Sequence, residues 1–176
     1  MDTIALLREA LADSHATLER TVADLDQEAL DWVPPGTANP IGATLVHVVV
    51  SEDLMVSTIL TGAPPLLATT FAGRTGLSEP MPMPGPAWAD YAAWTRRLRL
   101  DLPSHLAYAR AVWAASDAFL ARQPEADLDR GVDLTMLGRG HRTVAWAALR
   151  MLVSHVDQIT GEIACLKGLQ GRGGYA

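Results

Sequence analysis

The sequence predicts an all-α fold: a four-helix bundle with long connections and a short extra helix, formed by residues 1–176 as a single domain. Three observations carry this expectation. Apolar residues recur in steps of three and four along four separate stretches, the period of a helix with one buried face. Proline- and glycine-rich breaks divide those stretches. The chain has 176 residues, 49% of them apolar, which is enough for one real core and too few for two.

Asp2 or Thr3 opens a helix near residues 3–23, with Ile4, Leu7, Leu11, Leu18, Val22 and Leu25 on its inner stripe. His15 falls in that stripe, where a histidine satisfied in or beside the core is expected. After Trp32 and the Pro34-Pro35-Gly36 break, Asn39 and Pro40 read as a helix cap and a first-turn proline. The helix that follows, near residues 40–61, is the most apolar of the chain. It nevertheless holds His47, Glu52 and Asp53, so it reads as a buried bundle helix and not a membrane span.

Residues 66–86 form a long connection rich in Gly, Pro, Thr and Met, the kind that builds lids or pocket walls. Trp88, Tyr91 and Trp94 stand at helical spacing and predict the short extra helix over 87–97. Such a stripe is expected to serve the core; the alternative is that it covers the open end of the bundle. A helix near 103–122 follows, with Leu106, Ala109, Val112, Trp113, Ser116, Phe119 and Leu120 inward. Residues 124–142 make a polar connection in which Val132, Asp133 and Leu134 read as extended and His141 as exposed. The last helix, near 143–169, is capped by Thr143 and carries Leu149, Leu152, Val153, Val156, Ile159, Ile163, Leu166 and Leu169 on its stripe.

Composition excludes several roles. A net charge of −6 argues against a general nucleic-acid binder, which needs clustered Lys and Arg. The one local basic cluster, Arg96, Arg97 and Arg99, reads as a solvated helix end. The single Cys165 excludes an internal disulfide and fits a reducing compartment. Its mid-helix position predicts a buried, inert thiol. The first residues carry no basic stretch followed by an apolar one, so a cytoplasmic location is expected.

The last helix contains His155, Ile159, Gly161, Glu162 and Ile163 in the order His-Val-Asp-Gln-Ile-Thr-Gly-Glu-Ile. This resembles the last-helix motif H-x-x-x-H-x-G-[EQ]-[IL] of the DinB-like (damage-inducible) four-helix-bundle superfamily. A second phrase, from Asp31 through Trp32, Pro34 and Pro35 to His47, resembles the turn and helix that carry that family's first histidine. The resemblance spans most of the chain. It implies a mononuclear divalent-metal site, zinc or nickel, held by three histidines at the positions of His47, His155 and residue 159. Related proteins include mycothiol- and bacillithiol-dependent transferases and mycothiol-dependent maleylpyruvate isomerase, in which the metal activates a low-molecular-weight thiol.

This sequence departs from the pattern at Ile159, which cannot ligate. Two imidazoles are a poor set for a catalytic divalent ion, which usually has three protein ligands. Gln158 has a weakly ligating amide, and Glu162 lies about 10 Å along the helix axis from His155. His15 and His105 stand on other helices. The expectation is therefore a small-molecule-binding protein with a weak or lost metal site. The alternatives are a thiol S-transferase or isomerase with a substitute third ligand, and a structural dimerisation module. A homodimer is expected because bundles of this family often pair. In addition, the helix near 40–61 is apolar over more than one stripe and so hard to bury within one chain.

Overall fold

A computed structural model describes residues 2–83 and 85–175. Four long helical segments form the bundle. Helix α1 spans Thr3–Val22, and Asp2 caps it by accepting a hydrogen bond from the Ala5 amide at 2.7 Å. A short α2, Gln27–Asp31, is capped by Asp26 in the same way and was not foreseen in the sequence. Helix α3 spans Ile41–Asp53 and continues as π-helical turns over Leu54–Leu60. The extra helix forms as a 3-10 segment, Pro86–Asp90, leading into α4, Tyr91–Arg97. Helix α5 spans Leu102–Ala121, with Asp101 as its cap. The last segment starts as α6, Val144–Ala147, capped by Thr143. It passes through π turns at Ala148–Val153 and ends as α7, Ser154–Leu169.

Helices α5 and α7 each pack against both α1 and α3, so α1 and α3 stand on one diagonal of the bundle. Between α5 and α6 the expected extended phrase forms strand β1, Gly131–Asp133. It pairs antiparallel with β2, His141–Thr143, with Val132 opposite Arg142. The long connection after α3 is pinned to the start of α5. Gly76 lies at φ +79° with its carbonyl accepting from the Asp101 amide. A side chain there would meet the Asp101 carbonyl at 2.5 Å, so only glycine permits this approach.

Three expectations change. Helix α3 is buried nearly all round by its own chain, from Ile41 to Val50 save His47. The apolar excess that motivated a homodimer is thus sealed inside one bundle, and self-association no longer follows from it. By length and composition Ile41–Leu60 could cross a membrane, but 67% of its most apolar window is buried within the fold. Cys165 is exposed, because Ile163, Ala164, Leu166 and Lys167 take the inward side of α7 and leave position 165 outside. Leu149 and Leu169, placed on the inner stripe by period alone, are also exposed. Leu149 sits within the π turns, whose wider winding breaks the α-helical phase. The tail is surface-lying through Tyr175; Ala176 is outside the described residues.

Candidate functional site

Helix α3 contributes to two different polar centres, the second of them shared with α7. The first is closed. Glu52 and Asp53 are each only 1% exposed, so their charges must be paired. Glu52 accepts from the Ser116 hydroxyl at 2.6 Å and pairs with His15 Nε2 at 3.0 Å, across the bundle diagonal. His15 stacks on Trp113 at 4.8 Å between centroids. It is thus a satisfied core histidine, as expected. Asp53 Oδ1 accepts from the Ser57 hydroxyl and the Leu66 amide, both at 3.0 Å. Its Oδ2 accepts from the Leu67 amide at 2.9 Å and the Tyr108 hydroxyl at 2.7 Å. Burial and the Asp53 carboxylate together push the Tyr108 hydroxyl far above its usual range. His105 stands apart, with Nδ1 on the Thr75 carbonyl at 3.0 Å. Full burial holds it down to about 4.

The second centre is open. His47 from α3 and His155 from α7 meet edge to face with ring centroids 5.2 Å apart. Both line a cavity of about 660 Å³, within the range of small-molecule sites. The π turns supply much of its wall: Leu54, Met55 and Ile59 on one side, Arg150 and Met151 on the other. π-helical turns frequently occur at functional sites. The long connection adds Met81 and Gly85, and the extra helix adds Trp88. Met136, Leu137 and Arg139, from the connection between β1 and β2, and Trp146 complete it with Ser51 and Gln158. The aromatic stripe thus divides. Trp94 is core, while Trp88 lines the cavity and stacks on Tyr91 at 4.2 Å; Tyr91 in turn meets the edge of His47 at 6.2 Å.

Neither imidazole is anchored. Nδ1 of His47 is buried without a hydrogen-bond partner. Burial lowers the His47 pKa, and burial with the neighbouring His47 and Arg139 takes His155 down to about 4. Both rings are neutral at pH 7 and free to accept or donate one hydrogen bond. Ile159 packs against the main core, and Gln158 faces the cavity in its place. Glu162 does not line the cavity. It lies near Tyr91, whose hydroxyl is pushed up to about 12 by burial and by that carboxylate. His15 and His105 belong to other surroundings and do not complete the histidine pair.

Comparison with known proteins places the fold. The sequence profile of the DinB superfamily matches residues 10–162. The chain belongs to the DinB superfamily. A crystal structure of a conserved protein from Enterococcus faecalis is similar over 98% of this chain and 99% of that one, with a TM-score of 0.75 and 19% identity. No functionally curated protein matches the chain.

The residues of this DinB-superfamily protein do not fit a three-histidine metal centre. Among the described residues no three His, Cys, Asp or Glu side chains gather as a metal-binding group. A metal-bound histidine almost always donates its other ring nitrogen to a carboxylate or carbonyl. His47 Nδ1 has no such partner. The cavity walls, above all the methionines and the two arginines, escaped the sequence reading. The signal for Met55 and Met151 was present, because Met55 lies just over two helical turns after His47 and Met151 about one turn before His155.

Proposed function

We propose that this protein is a small-molecule-binding member of the superfamily in which the divalent-metal site is degenerate. One observation carries the reading. Two neutral imidazoles face each other in a cavity of about 660 Å³, and Ile159 packs into the core where a third ligand would stand. A buried ring nitrogen left without a partner costs about 1–3 kcal/mol. Of the buried nitrogens without a partner, His105 Nε2 and Trp94 Nε1 lie in the core, whereas His47 stands on the cavity wall, where a ligand can meet its ring. The Arg97 and Arg99 side chains of the basic cluster are held by Glu79, Asp90 and Asp31. That supports a small molecule over a nucleic acid as partner.

The test is a fragment screen followed by NMR of the imidazole resonances. Hits should shift His47 and His155 and leave His105 and His141 unmoved. Hits confined to other faces would remove the reading. Gln158 on the cavity wall favours a second reading, a thiol-dependent transferase or isomerase whose third ligand is an amide oxygen. Elemental analysis decides between them, since stoichiometric zinc or nickel in the purified protein would select the transferase.

A further inference from the structure

We propose that the cavity beside His47 and His155 receives an amphipathic organic anion: an apolar body against the methionine wall, and one carboxylate-type head held by Arg139 and Arg150. This rests on the small-molecule reading above and adds the chemistry of the ligand.

The wall argues for the apolar body. Met55, Met81, Met136 and Met151 line the cavity. Methionine is unbranched and polarisable, so such a wall adapts to an alkyl or aryl shape without demanding one contour. Met136 is 89% exposed, an apolar side chain in water for which a bound ligand would provide cover.

The charges argue for the anionic head. The chain carries 20 acidic and 14 basic residues, yet among the described residues no Asp or Glu lines this cavity and two arginines do. Some arginines elsewhere are neutralised, Arg8 by Asp117, Arg110 by Glu19 and Arg172 by Asp26, so what sets Arg139 and Arg150 apart is their place on a cavity wall without a carboxylate. None of the ion pairs among the described residues involves Arg139 or Arg150. Arg139 comes from the connection between β1 and β2, and Arg150 from the π turns before α7. Both are exposed, whereas the histidines lie half-buried, so the guanidinium groups sit toward solvent. An ammonium ligand would meet uncompensated repulsion there. A carboxylate would meet two guanidinium groups whose donors match its geometry.

The experiment uses three probes of one chain length, decanoate, 1-decanol and decyltrimethylammonium, titrated against the full chain. Binding is read by calorimetry and by the fluorescence of Trp88 and Trp146. Decanoate should bind about tenfold or more tighter than decanol, and the ammonium most weakly. Added salt should weaken decanoate alone. Arg139→Gln with Arg150→Gln should bring decanoate down to the level of decanol, and the corresponding double Lys variant should retain part of the difference. Met151→Trp, which fills the cavity, should abolish binding of both. Equal binding of decanoate and decanol, with both lost in Met151→Trp, would overturn the anion and leave the small-molecule reading standing. Binding indifferent to Met151→Trp, or no binding by any probe, would overturn both.

Discussion

Helix α3 presents two polar centres less than two turns apart, and they are opposites. At Glu52 and Asp53 the carboxylate oxygens are met by donors from α1, α5, the π turns and the long connection. At His47 and His155 the rings face a cavity, and a buried nitrogen has no partner. The first arrangement leaves nothing over for a ligand; it ties four parts of the chain together. The second contributes little to holding the fold and keeps its bonding capacity free. Within one helix, burial of a polar group therefore does not mark function. An unused hydrogen bond does so only where it borders a cavity, as at His47; Thr44 Oγ1 on the same helix is also without a partner but does not line the cavity.

The largest expected effect breaks the closed centre. Asp53→Ala leaves the Leu66 and Leu67 amides, the Ser57 hydroxyl and the Tyr108 hydroxyl without their acceptor. It should destabilise the protein by about 3–5 kcal/mol in urea unfolding. Because Leu66 and Leu67 begin the connection that supplies Met81, the cavity wall should loosen too. His47→Ala should change stability by no more than about 1 kcal/mol, while removing the ring that a ligand would bond. If the two variants cost the same, the contrast between the centres is wrong.

The next effect concerns protons. His105 is fully buried and held down to about 4, against an unfolded value near ~6.5. The unfolded chain therefore binds the proton first as pH falls. Stability from this group is intact above the unfolded value and is lost as pH drops from about 6.5 toward about 4, by an amount on the order of 3 kcal/mol. His155 adds in the same direction and window. His105→Gln should lower stability at pH 7, since Thr75 is then held less well, but flatten its decline in acid. Unfolding curves across this range check it, and an unchanged slope would remove His105 as the source.

The bundle was legible because three of the long helices carry a period that one buried face satisfies, and the fourth, α3, is apolar enough to be buried nearly all round. The His47–His155 encounter was legible because two spaced phrases resembled one family. What escaped follows from physics that period alone does not express. The π turns shift the helical phase, so Leu149 turns outward and Met151 lines the cavity. Asp53 looked like one charge in an apolar run. Its partners Leu66, Leu67 and Tyr108 are 13 to 55 positions away, and sequence offers no distance between them. Cys165 was misplaced because a mid-helix position does not fix a side: Ile163, Ala164, Leu166 and Lys167 share the inward arc, and position 165 stands about half a turn away on the outer face.

The smallest effect sharpens the open centre. Ile159 stands one turn beyond His155 and packs against the core, while Gln158 on the other flank of His155 faces the cavity. The wild type should bind zinc or nickel weakly and purify largely without it. Ile159→His places a third imidazole at the i, i+4 spacing that lets two rings share one ion. Exchanging a half-buried aliphatic group for a polar one should cost about 1–2 kcal/mol in the apo variant. Added metal should then raise its melting temperature, since binding to the folded state alone stabilises it. His155 is already neutral above about pH 4 and His47 is lowered as well. The proton released on binding comes mainly from the new ring, so affinity should climb as pH rises through ~6.5. Gln158→His is the control, because it offers an imidazole on the opposite flank. Calorimetry with elemental analysis on the three proteins separates the cases. A gain only in Ile159→His places the lost ligand at 159, and a gain only in Gln158→His moves the metal position to the cavity side. Tight stoichiometric metal in the wild type would show that the amide already completes the site.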